Sequence, residues 1–482
     1  MTHQLLVIDV GTSSVRAAAV DGDGKVTHEQ VRTTLPDTPA PGLVEFDAIE
    51  LRDAALDAAR ATLAASGPVA GVGIANQRAS TVVWDATSGD PVAPAIGWQD
   101  LRTVGDCLVL QADGLRLAPN QSATKVSHLL DQYDPDRSRD LRFGTVDTWV
   151  IWHLTGGRVH VTDRTNAAVT GMVELGRPVW DPAVLGRLSI PERMLPTVVD
   201  SSGAIGEASA LDGSPPICGV AGDQQASLIG QGAVQPGRAK ITFGTGGMLD
   251  VCIGDERPSF DVRGAHGTFP IVAWQVDDRP VWGLEAIMLA AGTNVEWLRD
   301  DLGVIETASE SHEVASACDD TDGVTYVPAL LGLGTPRWDY GARGTLLGAT
   351  RGTGRPQLVR AVLEGIAERG ADLVEAAEAD AAISIPTLRV DGGMSENPTF
   401  CQAVADAAQR PVEVSPVTEA TTLGAAYLAG LTTGAWSDLD ETAALWSPTT
   451  VVEPGPATDR DRWREAVDRA ARWHGDLTGI EF

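Results

Sequence analysis

Apolar positions along the chain gather in short runs broken by glycine, and these runs alternate with stretches of helical spacing. Residues 5–10 (LLVIDV) and 15–20 (VRAAAV) flank a Gly-Thr-Ser-Ser bend and predict two strands. From 45 to 66, apolar residues recur every three or four positions behind Asp47, which predicts a helix capped by that aspartate. Short buried strands are expected at 69–76 and 80–85. Strand-like and helix-like segments then alternate, the pattern of an α/β fold. A closing amphipathic pattern over 459–477 predicts a helix with alternating charges on its solvent face.

Residues 239–253, AKITFGTGGMLDVCI, repeat the opening design of strand, glycine-threonine bend and strand. One such bend in each half of the chain predicts two related lobes. The helix that ends in LIGQGAVQP (228–236) marks their boundary, which gives an N-terminal domain over 1–231 and a C-terminal domain over 232–482. A chain of 482 residues is also too long for one ordinary core.

Composition narrows the partners. With 66 acidic against 36 basic residues, the formal charge of −30 repels nucleic acid and anionic membranes. Only Lys25, Lys125 and Lys240 are lysines. Cys107, Cys218, Cys252, Cys318 and Cys401 are far apart and form no C-x-x-C pair, so buried free thiols in a reducing compartment are expected. No apolar run approaches the roughly 18 residues of a membrane span, and no basic leader precedes the first strand; the expectation is a cytoplasmic protein.

The candidate chemistry lies at the bends. Glycine tolerates positive φ, which lets successive N–H groups converge on an anion, and neighbouring hydroxyls add donors. Gly11, Thr12 and Ser13 suit that task, as do Gly244, Thr245 and Gly246. A plain hairpin turn explains either bend alone; the pair favours a phosphate cradle. Asp9 ends its strand just before the first bend, as a turn cap or as a carboxylate that holds hydrated magnesium. Asp223 follows Gly222 at the head of a helical pattern, as an N-cap or as a general base, with Gln224 beside it to fix a neighbouring hydroxyl. VDGGMSENPTF (390–400) carries a double glycine, a turn or a close approach to a ring or phosphate, before a helix that starts near Asn397 or Pro398. The P-loop, G-x-G-x-x-G and H-E-x-x-H motifs are absent, and His153, His160 and Asp163 are read as strand and turn residues.

An ordered series of segments, among them IDVGTSSVRA, GIANQR, IGWQDLRT, FGTVDTWVIWHLTGG, GVAGDQQASLIGQ, FGTGG, LGATRG, VDGG and TTLGAAYLAGL, resembles the FGGY carbohydrate kinases over nearly the whole length. The resemblance implies two lobes of the actin and hexokinase type, each with a ribonuclease-H-like sheet. ATP and Mg2+ would occupy the cleft, and phosphate would pass to the terminal hydroxyl of a small polyol or sugar. It implies that Asp223 is the general base and that Gly11, Thr12, Ser13 and Arg16 meet the phosphates, with Asp9 near the metal. Gly244, Thr245 and Gly246 would meet them from the other lobe, and Gly292, Gly392, Gly393, Met394 and Asn397 would complete the nucleotide site. Arg78, Ala79, Trp98, Asn120, Gln224 and Met248 would join Asp223 around the acceptor. A homo-oligomer, dimer or tetramer, is also implied.

Family members that act on glycerol carry glutamate, tyrosine and phenylalanine where this chain has Ala79, Asn120 and Met248. Losing the carboxylate removes a strong acceptor of hydroxyl protons and leaves room. Glycerol is the first expectation, with a tetritol, pentitol or pentulose as the alternative. A catalytically silent sensor of the same fold is the alternative from another class.

Overall fold

The computed structural model describes residues 4–417 and 419–479. The first apolar runs form β1 (Leu5–Val10) and β2 (Ser14–Val20), an antiparallel hairpin that β3 (Val26–Thr33) extends. Helix α1 (Ala48–Ser66) begins where Asp47 accepts the N–H groups of Ile49 and Glu50 at 2.7 and 3.2 Å, which satisfies donors that the first helical turn leaves free. Its Leu51, Ala55, Ala58 and Ala59 pack against Leu6, Ile8, Val15 and Ala17 of the hairpin. Three further strands, β4 (Gly71–Asn76), β5 (Ser202–Glu207) and β6 (Pro216–Gly222), complete a sheet of order β5-β6-β4-β1-β2-β3. The predicted strand at 80–85 is shorter, covering Val82–Asp85 in a separate two-stranded sheet.

The second sheet copies the first. Its strands are β7 (Ala239–Phe243), β8 (Gly247–Gly254), β9 (Phe269–Val276), β10 (Arg279–Met288), β11 (Leu388–Asp391), β12 (Val412–Val414) and β13 (Thr450–Val452), in the order β9-β10-β8-β7-β11-β12-β13. In each sheet the first strand of the hairpin has an antiparallel neighbour on one side and parallel strands on the other: β4 and β6 beside β1, β11 and β12 beside β7. The fold is the duplicated ribonuclease-H-like architecture of the actin and hexokinase class.

One helix from each half joins the two sheets. Helix α2 (Asp223–Gly230) leaves β6, and α3 (Ala420–Thr433) follows β12. They cross backbone to backbone: a β-carbon on Gly424 would overlap the carbonyl of Ala226, and one on Gly230 would overlap that of Ala420. Helix α3 also lies against the first sheet, where a β-carbon on Gly219 would come within 2.5 Å of the Ala429 nitrogen.

The expected closing helix is cut short. Helix α4 spans Arg460–Ala470, after which Ala471 is extended and Arg472 takes φ 59°. The buried Asp339 carboxylate explains the break, because it accepts the Arg472 N–H at 2.7 Å and the Thr478 hydroxyl at 2.9 Å. The five cysteines are free thiols, four of them buried. His153 and His160 sit against Trp149 and Trp84, and burial lowers both to about 4, which keeps them neutral parts of an aromatic cluster.

Two glycine substitutions separate close contact from helix propensity. Gly424→Ala should lower stability by about 1–3 kcal/mol through overpacking, whereas Gly186→Ala, in a helix with open space beside it, should raise it by about 0.5–1 kcal/mol. Thermal and urea denaturation of both variants checks the contrast.

Candidate active site

The first bend is the loop between Val10 and Val15, closed by the Gly11 N–H on the Ser14 carbonyl at 2.9 Å. Neither Gly11 nor Gly244 or Gly246 adopts positive φ, which corrects the conformational reason expected for them. Space explains two of the three: a β-carbon would lie 3.2 Å from the Ser14 oxygen at Gly11 and 2.9 Å from the Met288 oxygen at Gly246, while Gly244 is unhindered. Gln77 donates to the Gly11 carbonyl at 3.0 Å, Ser80 donates to Gln77 at 2.8 Å, and the Trp98 N–H reaches Ser80 at 3.0 Å. The Trp98 indole then donates to Thr12 Oγ1 at 3.1 Å. The predicted acceptor-side tryptophan therefore touches the predicted phosphate bend. Arg16, opposite Asp9 in the hairpin register, pairs with Glu419 and, at 3.5 Å, with Glu29.

The second bend runs from Phe243 to Gly247. Gly292 donates its N–H to Gly244 at 2.8 Å, so closely that a β-carbon there would lie 2.6 Å from the same oxygen. Gly392 does need glycine on both counts, with φ 85° and a would-be β-carbon 2.5 Å from the Phe243 oxygen. This approach brings Gly392 and Gly393 beside the bend. The short turn that follows contains buried Met394 and leads to Asn397, which caps α5 (Pro398–Ala408) by accepting the Phe400 N–H at 3.1 Å. The predicted nucleotide residues of the second half thus adjoin one another.

Asp223 occupies the first turn of α2, one residue inside the cap. The capping position belongs to Gly222, whose N–H is held by the Thr165 hydroxyl at 2.9 Å, so the N-cap alternative for Asp223 is corrected. Asp223 Oδ1 stands 3.5 Å from Arg78 Nε, and the far end of the same guanidinium pairs with Glu285 Oε2 at 2.7 Å. Burial raises the Asp223 carboxyl above the ordinary range, with Arg78 and Lys240 opposing the shift. Burial and then the charge of Asp223 push Asp9 up to about 7. Lys240 donates to Gln224 Oε1 at 2.8 Å, which joins the second hairpin to the residue beside Asp223.

The other acceptor-side residues are placed unevenly. Ala79 is buried at φ 60° with its carbonyl bound by the Ser122 hydroxyl at 2.9 Å. Asn120 is exposed, and half-buried Met248 lies opposite Thr242 in the hairpin. Sequence reasoning missed Glu285, Asp250, Lys240, Gln77 and Thr165. A signal existed for three of them, since Lys240, Asp250 and Glu285 are lone charges inside the apolar segments AKITF, GMLDVCIG and VWGLEAIM.

Duplicated lobes, each with a glycine-threonine bend after its first strand, and a half-buried carboxylate at the head of α2 are the features of a phosphotransferase of the actin and hexokinase class. The chain belongs to the FGGY family of carbohydrate kinases: residues 4–230 match that family's N-terminal domain and residues 239–433 its C-terminal domain. It is 42% identical to a glycerol kinase of Aromatoleum aromaticum over 97% of this chain and 99% of the relative. Identity to glycerol kinase 2 of Thermotoga maritima is 41% over the same shares. The crystal structure of Plasmodium falciparum glycerol kinase with ADP superimposes with a TM-score of 0.90 and 29% identity, covering 99% of each chain. The protein is an ATP-dependent phosphotransferase with an alcohol group as acceptor.

The strained carboxylate pair has a stability signature. A carboxyl raised in the folded state favours folding while protonated, and that contribution is lost as pH rises from about 4 through about 7. Asp9→Asn stays neutral, so its stability relative to the parent should grow between pH 5 and pH 8, by about 2 kcal/mol. Denaturant titration at both values, without divalent cations, measures the difference.

Proposed function

We propose that the protein transfers the γ-phosphoryl group of ATP to a terminal hydroxyl of glycerol, giving glycerol 3-phosphate and ADP. The observation that carries the reading is the Arg78 guanidinium, held between Asp223 and Glu285. Ala79 lacks the carboxylate that glycerol-phosphorylating members carry there, but Glu285 brings one to Arg78 from the other half of the chain. The near full-length similarity to proteins named glycerol kinase supports the same acceptor.

In this mechanism Asp223 accepts the proton of the attacking hydroxyl. Its raised carboxyl makes it a stronger base than an exposed aspartate. Arg78, Trp98 and Gln224 orient the acceptor, with Ala79, Asn120 and Met248 around it. Gly11, Thr12, Ser13 and Arg16 on one side, and Gly244, Thr245 and Gly246 on the other, offer donors to the phosphates. Gly292, Gly392, Gly393, Met394 and Asn397 border the nucleoside.

Magnesium fits this site. Asp9 and Asp223 are two half-buried carboxylates whose mutual repulsion a divalent cation relieves, and Asp9 would hold it through water. When bound, the ion offsets phosphate charge during transfer. Among the described residues no helix is long and apolar enough to cross a membrane. The free thiols suit a reducing cytoplasm, where we place the reaction.

A coupled ADP-release assay with glycerol, erythritol, xylitol and D-xylulose tests the acceptor. The highest kcat/KM should belong to glycerol; a clear preference for a larger compound replaces it, and no ATP consumption with any of them leaves the sensor of the same fold. Asp223→Asn should lower kcat by about 10²–10⁴-fold while nucleotide binding persists. In the parent, kcat/KM should fall on acidification, with its midpoint above that of an ordinary aspartate because burial raises the base.

A further inference from the structure

Lys240 is one of three lysines in the chain, and its side chain is wholly buried. Its ammonium donates to Gln224 Oε1 at 2.8 Å and Thr242 Oγ1 at 2.9 Å, and it forms an ion pair with Asp250 Oδ2 at 2.9 Å. Two of its three N–H donors are thus committed to oxygens of Gln224 and Thr242, and its charge to the Asp250 carboxylate. Two of these partners come from the same hairpin, with Asp250 directly opposite Lys240 in the register. The third comes from α2, next to Asp223.

A carboxamide has an oxygen that accepts and a nitrogen that donates, and a half-turn exchanges them. With Oε1 claimed by Lys240, the flipped arrangement would set Nε2 donors against an ammonium that has nothing to accept them. Among the described residues no group accepts from Gln224 Nε2. Asp250 holds Lys240 in turn, and it lies opposite Glu285 on the next strand, which pairs with Arg78. A row of charges across β7, β8 and β10 therefore supports both acceptor-side residues that flank the base.

We propose that Lys240 is a positioning residue that locks the Gln224 carboxamide with its N–H donors toward the acceptor, so that Gln224 selects a substrate carrying an oxygen acceptor on the carbon next to the phosphorylated hydroxymethyl group. The inference rests on the function proposed above. It makes the secondary hydroxyl of glycerol a specificity element read by donation, and it excludes an acceptor whose neighbouring group can only donate.

The test compares glycerol with 1,3-propanediol, which lacks that hydroxyl, through kcat/KM. The parent should favour glycerol by at least about tenfold, the worth of a well-placed hydrogen bond in a site built to make it. Lys240→Met should collapse that preference to within about threefold, mainly through a higher KM for glycerol, while the propanediol value changes little. Because this variant strands Asp250, Lys240→Met/Asp250→Leu removes both charges and should show the same collapse. Gln224→Glu keeps Lys240 paired while replacing the donor by an acceptor, and it too should lose the preference. Folded variants that retain the parental glycerol-to-propanediol ratio overturn the inference alone. A parent inactive on glycerol overturns the proposed function, and the inference with it.

Discussion

The absence of two side chains decides how the halves of this protein meet. At Gly230 and Gly424 the helices α2 and α3 touch through their backbones, and any β-carbon would drive them apart. Helix α2 carries Asp223 in its first turn, while α3 begins just after Glu419, the partner of Arg16. A shift at the crossing therefore moves Asp223 relative to the arginine behind the first bend. Close packing transmits such a shift rather than absorbing it, because interiors are nearly as dense as organic crystals.

On this frame the site is built from opposed charges rather than from a shaped apolar pocket. The chain is strongly acidic overall, yet Arg16, Arg78 and Lys240 are each committed to carboxylates. Buried ion pairs add little net stability once desolvation is counted. Their worth here is direction, since each pair fixes a long side chain that would otherwise lose its orientation. Two of these pairs, Arg16 with Glu419 and Arg78 with Glu285, join residues from both halves, so the charges act as ties as well as positioning devices.

Much of this was legible in the sequence, because it lay in local pattern. The two glycine-threonine bends, the Asp47 cap and the duplicated hairpins follow from periodicity and turn chemistry within a few residues. What escaped was long-range. Glu285 stands 207 positions from Arg78, and no spacing rule connects them. The reason for the bend glycines was also misread: positive φ was expected, whereas Gly11 and Gly246 answer to crowding by a nearby carbonyl, which only the folded chain reveals. The closing helix failed for a related reason, since Asp339 lies far from Arg472 in sequence and draws away a backbone N–H that the helix would otherwise keep.

The contact between Trp98 and Thr12 has a directional consequence. An indole nitrogen only gives a proton, so the threonine oxygen spends a lone pair on it and its own hydrogen must point elsewhere. That hydroxyl keeps its donor free and has one lone pair fewer to offer, a balance that favours an anion over a cation. The indole of Trp98, brought from outside the hairpin, thereby sets which way the bend's hydroxyl can act.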